Sequence, residues 1–249
     1  MDSIAQILEL AESYSRELPQ PPPPPALPEG EKIAGIIDLT LIKADATSTE
    51  IKQLCEEAVR YNFFSVVVNP AYIPLAAGLL ANSQILVGSV AGFPLGASMP
   101  TQKSFEALSN ITAGASEIDM VLNIGAVKSK AYGLVFNDIA TVAQTTHIQK
   151  AALKVIIETP FLSRDEKILA CLISMYAGAD FVKTASGFAG GGATVEDIDL
   201  MYRVVGAKIG VKAAVGIRDY STAAAMVKAG ATRLGTSAGI NIIKEITNG

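Results

Sequence analysis

A chain of 249 residues, half of them hydrophobic and 18% charged, is long enough for one large domain or two small ones and can bury a sizeable core. A formal charge of −4 with no basic cluster argues against nucleic acid as the main partner, and no apolar run approaches the roughly 18 residues of a membrane span. A single histidine, His147, and two scattered cysteines, Cys55 and Cys171, are too few for a catalytic zinc site, and with neither a disulfide framework nor a secretory signal the expected compartment is a reducing cytoplasm.

Residues 3–18 carry Ile4, Ile7, Leu8, Ala11 and Tyr14 on helical spacing, which predicts a short amphipathic helix. A proline stretch from Pro19 to Pro28 follows, with Pro21 to Pro25 consecutive. It reads as an extended polyproline II spacer, and its composition also suits a docking site for a proline-binding partner. Residues 1–31 are thus expected to form an N-terminal helix and linker, the helix folding back on the rest of the chain or packing on a neighbouring subunit. Residues 32–249 are expected to form the main domain.

From Lys32 onward one pattern recurs: a short apolar run, a small or polar loop, then an amphipathic helix. The runs are Ile36–Ile42, Phe64–Val68, Ile85–Val90, Glu117–Leu122, Leu153–Ile157, Ala179–Val182, Val211–Val215 and Thr232–Gly235. Helices are predicted near 48–60, 71–81, 100–114, 133–147, 164–177, 195–206, 220–229 and 238–246. Thr47-Ser-Thr-Glu50 and Ser163-Arg-Asp-Glu166 are capping boxes, and Thr194-Val-Glu-Asp197 resembles one. Strict alternation implies parallel strands with right-handed crossovers. Eight such units in so short a chain match a (β/α)8 barrel, an α/β fold usually of roughly 200–250 residues. A doubly wound sheet is the alternative, because alternation alone does not show closure.

In a barrel, functional groups sit at the C-terminal ends of the strands. That rule selects Asp38 and Lys43 at the first strand, Asn69 at the second, Asp119 in the fourth, Lys154 and Glu158 at the fifth, Lys183 at the sixth and Lys212 in the seventh. Charges within apolar strands would be costly against the helix layer, so Asp119, Lys183 and Lys212 are expected to converge on the barrel axis. One carboxylate and two lysines in a dry cavity suit imine chemistry: desolvation and a neighbouring cation lower one amine's pKa, the neutral amine attacks a carbonyl, and the carboxylate moves protons. The bland alternative for Asp119 with Lys212 is a buried structural ion pair, which leaves Lys183 unaccounted for. Lys154 either supports this cluster or pairs with Glu158.

Small-residue turns close the strand ends: Gly187 beyond Lys183, Gly216-Ile-Arg218, and Gly235-Thr-Ser-Ala-Gly239 opening the last helix. Backbone N–H groups there can approach an anion, and barrel enzymes often hold a substrate phosphate at this place. The expected substrate is a phosphorylated carbonyl compound.

With these residues in hand, the chain from about Ile33 to Ile243 resembles the 2-deoxyribose-5-phosphate aldolase family of class I aldolases. The segments that carry the resemblance include Ile37-Asp-Leu-Thr-Leu, Val90-Ala-Gly-Phe-Pro-Leu-Gly96, Glu117-Ile-Asp-Met-Val-Leu-Asn-Ile-Gly125, Leu153-Lys-Val-Ile-Ile-Glu-Thr159, Asp180-Phe-Val-Lys-Thr184, Gly210-Val-Lys-Ala213 and Arg233-Leu-Gly-Thr-Ser-Ala-Gly239. The resemblance implies a Schiff base on Lys183, Lys212 as the cation that tunes it and Asp119 as the proton-relay carboxylate. It places the substrate phosphate at Gly187, Gly216, Gly235 and Ser237, Asp38 and Thr40 at the substrate-facing end of the first strand, and Lys154 and Thr184 among the substrate-binding residues. It also implies reversible cleavage of 2-deoxy-D-ribose 5-phosphate to acetaldehyde and D-glyceraldehyde 3-phosphate in deoxyribonucleotide catabolism, no metal or organic cofactor, and a homodimer or homotetramer. Two positions depart from the family pattern: Val215, where a second glycine is usual, and Ala44, where proline is common. Another Schiff-base aldolase acting on a different phosphosugar, and a non-catalytic phosphosugar-binding barrel, are the competing readings.

Overall fold

The computed structural model describes residues 3–247. The outer ends of the two expected units, residues 1–2 and 248–249, lie outside the described residues. In chain order the elements are α1 (Ile4–Arg16), β1 (Ile37–Leu41), α2 (Ser48–Tyr61), β2 (Ser65–Val68), α3 (Ile73–Leu80), β3 (Leu86–Ala91), α4 (Pro100–Thr112), β4 (Glu117–Val121), α5 (Ile124–Lys128), α6 (Tyr132–Ile148), β5 (Ala152–Ile156), α7 (Arg164–Tyr176), β6 (Phe181–Lys183), α8 (Val195–Val205), β7 (Gly210–Ala214), α9 (Tyr220–Lys228), β8 (Arg233–Thr236) and α10 (Gly239–Thr247). All strand pairs are parallel, and β8 returns to β1 with Asp38 opposite Gly235, closing the barrel in strand order 1 to 8. Closure decides against the doubly wound sheet. No helix among the described residues is long and apolar enough to cross a membrane.

The predicted helix starts form as their side chains dictate. Thr47 accepts the Glu50 amide while the Glu50 carboxylate accepts the Thr47 amide, and Ser163 with Glu166 repeats the box before α7. Thr194 accepts the Asp197 amide at 3.0 Å, a plain N-cap. Helix α5 was not anticipated. Its five residues are too few to show periodicity, and it is nucleated by Asn123, whose side chain accepts the Ala126 amide.

Strand β6 starts two residues later and ends one residue later than the sequence pattern predicts, because the chain on its N-terminal side is engaged elsewhere. The Ala179 amide caps α7 by donating to the Ser174 carbonyl. The Asp180 carboxylate accepts the Leu153 amide and pairs with His147. The shift brings Lys183 into the strand itself, opposite Ile156 on one side and Lys212 on the other.

Alternation along each strand sorts the interior into two regions. Ile37, Leu39, Val66, Val68, Ile118, Met120, Leu153, Val155, Val182, Val211, Ala213 and Leu234 pack outward with the helices in one continuous apolar core. Among the intervening positions, those of β1, β4, β5, β6, β7 and β8 each include charged side chains, which meet inside the barrel. Helix α1 lies back on α7 with Ile7 and Ala11 buried, and the Arg164 guanidinium donates to the Ser15 carbonyl. The proline stretch then runs over the barrel exterior, where the Tyr202 hydroxyl donates to the Pro23 carbonyl at 2.8 Å. A 3-10 segment, Gly30–Ile36, buries Ile33 and Ala34 before β1 begins.

Candidate active site

Among the described residues, seven ionisable side chains meet inside the barrel. At its centre, Asp119 on β4 takes three lysines. Its Oδ2 accepts from Lys183 Nζ at 2.8 Å and Lys212 Nζ at 2.9 Å, and its Oδ1 from Lys154 Nζ at 3.0 Å. Lys212 also lies 2.5 Å from Asp38 Oδ2. Lys154 bonds Glu117 Oε2 at 2.8 Å, and Arg233 joins Asp38 at 2.9 Å and Glu117 at 3.3 Å. Ser65 adds a hydroxyl to Asp38. The β-strand period of two explains the cluster: 117 and 119 share one face of β4, and parallel register sets Asp119 beside Lys154 and Lys183 beside Lys212.

Burial and charge act against each other on Lys183, Asp119, Asp38 and Lys154. Burial pushes the Lys183 amine down to about 8; Asp119 pulls it up, while Lys212 and Lys154 add to the fall. Burial would raise Asp119, but Lys154, Lys183 and Lys212 outweigh it and hold the carboxyl well below the usual range. Asp38 is likewise kept ionised against its burial by Lys212, Lys154 and Arg233. Lys154 is the reverse of Lys183: burial would lower it, yet Asp119, Asp38 and Glu117 keep it protonated above the ordinary lysine value.

Above this network lies a cavity of about 380 Å³, with Lys183 at its base. Thr40, Gly187, Gly216, Gly235 and Ser237 line it, as do Lys43 and Arg218 at its rim. Gly187 and Gly216 have φ of +92° and +88°, the left-handed region that glycine enters freely. Gly235 is small for a different reason: a Cβ there would stand 2.9 Å from Cε of Lys212, so the residue leaves room for the lysine stem. On one flank, Phe188 meets Phe93 edge to face at 5.2 Å.

The remaining predicted residues are placed differently. Asp119, Lys212, Asp38 and Lys154 are fully buried beneath the cavity, outside its wall. Thr184 does not face it either; its hydroxyl donates to the Ala214 carbonyl and accepts the Ala214 amide, tying β6 to β7. Lys154 pairs with Glu117 and Asp119 rather than with Glu158, whose carboxylate instead accepts the Ser186 amide. Glu117 and Arg233 were missed by sequence reasoning. The signal for both was spacing: each lies two residues before a selected position, Asp119 or Gly235, and so on the same face of its strand.

A model of the DeoC/LacD family aldolases matches residues 33–245. The deoxyribose-phosphate aldolase 1 of Bacillus licheniformis is 52% identical over 217 residues, spanning 87% of this chain and 97% of that protein. The deoxyribose-phosphate aldolase of Thermococcus kodakarensis is 51% identical over 215 residues, 86% of this chain and 96% of its own. A Coccidioides immitis crystal structure, provisionally described as a deoxyribose-phosphate aldolase, superposes with a TM-score of 0.93 at 40% identity over 99% of this chain and 100% of that one. A deoxyribose phosphate aldolase from Aeropyrum pernix, described as tetrameric, gives 0.83 at 30% identity over 98% of each chain.

Proposed function

The chain belongs to the DeoC/LacD family of aldolases, and from that premise we propose that it cleaves 2-deoxy-D-ribose 5-phosphate reversibly through an imine on Lys183. The observation that carries this reading is one amine, poised near neutrality, at the base of a cavity and 2.8 Å from a buried carboxylate. The neutral Lys183 Nζ attacks C1 of the open-chain sugar, and loss of water gives the protonated imine. Removal of the proton on the C3 hydroxyl then breaks the C2–C3 bond. The electron pair passes to the imine as an enamine, and D-glyceraldehyde 3-phosphate leaves. Protonation of the enamine carbon and hydrolysis release acetaldehyde and restore the amine.

Asp119 is the proton relay, because its Oδ2 touches the reacting amine. Lys212, sharing that oxygen, holds Lys183 toward its neutral form, and Asp38 and Lys154 anchor the two partners from beneath. The amides around Gly187, Gly216, Gly235 and Ser237, with Arg218 and Lys43 at the rim, receive the phosphate. The Aeropyrum pernix relative is described as tetrameric, which supports a homodimer or homotetramer here as well. With that substrate, we read the chain's role as deoxyribonucleotide catabolism in the cytoplasm.

Borohydride reduction in the presence of acetaldehyde tests the reading. An N-ethyl group on Lys183, with no turnover in a folded Lys183→Ala variant, is the expected result. A Lys183→Ala protein that keeps most of its activity would rule the imine out. Val215 in the cavity wall favours a second reading, an aldolase preferring another phosphosugar, which a series of phosphorylated acceptor aldehydes distinguishes.

A further inference from the structure

The interior of the barrel has an odd charge count. Arg233, Lys154, Lys212 and Lys183 make four cations, whereas Asp38, Glu117 and Asp119 make three carboxylates, and each of the seven touches at least one opposite charge within the network. An unmatched charge in a water-poor interior is expensive, so one proton tends to be given up. Six of the seven stand away from the cavity; Lys183 alone lines it.

The groups facing Lys183 are Asp119 from β4, Lys212 from β7 and, through Asp119, Lys154 from β5, with Lys43 after β1 and Arg218 after β7 across the cavity. Glu158, after β5, is engaged by the Ser186 amide and has no ion pair with the network among the described residues. At the opposite end, Arg233 is clamped between the rings of Phe64 and Phe181, with its guanidinium carbon 3.4 Å and 5.2 Å from the ring centroids. It reaches Lys183 only through intermediaries: Glu117, Lys154 and Asp119 on one path, Asp38, Lys212 and Asp119 on the other.

We infer that Arg233 and Glu117 are positioning residues for the proposed imine chemistry, and that by setting the charge count of the sealed network they determine which protonation state Lys183 adopts. This rests on the function proposed above. Arg233 supplies the fourth cation, and Glu117 supplies the third carboxylate. Neither touches substrate. The direction of effect follows from counting alone. Removing Arg233 leaves three lysines against three carboxylates, and Lys183 keeps its proton. Removing the Glu117 charge leaves two cations in excess, and Lys183 loses its proton more readily.

The experiment is the pH dependence of imine formation with acetaldehyde, read by borohydride trapping in the full chain. In Arg233→Met the acid limb is expected to move up by about one pH unit, the effect of a unit charge a few positions away in a protein interior. The rate at neutral pH then falls roughly tenfold and recovers in alkali. Glu117→Gln is expected to move the limb down. The double variant, again with one excess cation, is expected to return it toward the wild type, and Arg233→Lys to hold it in place. A merely structural role would lower rates without moving the limb in opposite directions. Limbs that stay fixed, or move the same way in both single variants, overturn the inference. Should Arg233→Met fail to fold, an unmoved limb in Glu117→Gln is sufficient to reject it. If the wild type traps no label on Lys183, the proposed function itself fails. Label on Lys183 with an unmoved limb removes only this inference.

Discussion

Val215 stands at φ +74°, in the left-handed region, where a β-branched side chain is a rare occupant. Such a position costs on the order of 1–3 kcal/mol and persists only when its surroundings impose it. Here the Ala193 amide donates to the Val215 carbonyl at 3.0 Å, pinning the backbone from the loop after β6. Gly192 passes so close that a Cβ on it would meet that carbonyl at 2.6 Å. The isopropyl group faces Gly187 across the cavity wall; a Cβ on Gly187 would lie 3.3 Å from Val215 Cγ2. Val215→Gly is therefore expected to free the amides of the phosphate cradle and lower KM for the phosphorylated substrate by about fivefold, or ~1 kcal/mol, with kcat unchanged. Thermal stability should change little, because relieved strain is offset by the extra freedom glycine gives the unfolded chain. A KM that stays put or rises would mean the phosphate binds elsewhere. The sequence singled out Val215 as a departure, but its strain belongs to tertiary contacts that no local pattern encodes.

At the scale of elements, the strands were legible because burial on both sides gives them continuous apolar runs that a charge interrupts conspicuously. Helix boundaries were legible wherever a capping box marks them, as at Thr47 and Ser163. The proline stretch was less legible: composition suggested a spacer, whereas in the fold it crosses the barrel exterior and is held at Pro23 by Tyr202, 179 residues away in sequence. Together with α1 it forms a strap over α7 and α8. Ile7, which is 1% exposed, is the most buried side chain of α1. Ile7→Asp places an unpaired charge there and is expected to cost about 3 kcal/mol of local stability. Limited proteolysis should then remove the N-terminal segment while kcat/KM stays at the wild-type value. Loss of activity in step with strap release would instead make α1 part of the active architecture.

For the whole molecule, the odd charge inside the barrel couples activity to stability. Lys183 titrates near 8 in the folded chain and near the ordinary lysine value of 10.5 when unfolded. Between those values the unfolded chain binds more protons, so this group makes stability rise with pH, and below about 8 its full penalty is present. Lys183→Met, which leaves three cations against three carboxylates, is expected to be more stable than the wild type by on the order of 3 kcal/mol at neutral pH. The gap should close as pH rises toward 10.5. Urea unfolding of both proteins from pH 6.5 upward, in a range compatible with the fold, measures this; a gap independent of pH would refute it. Asp119 and Asp38 act at the other extreme. Their depressed values contribute stability above the ordinary carboxylate range that is lost as pH falls through the folded values.

The alternation of eight strands with the helices that follow them, and the choice of Asp119, Lys183 and Lys212 as candidate residues, were legible in the sequence alone. Periodicity and isolated charges are local signals, and a lysine in an apolar run stands out without knowledge of its neighbours. Closure of the sheet, the late start of β6, the strain at Val215 and the membership of Arg233 and Glu117 in the interior network were decided only by tertiary structure. Each depends on which distant residues come within a few ångströms, and Coulomb forces and sterics in a dry interior act on distance in space rather than along the chain.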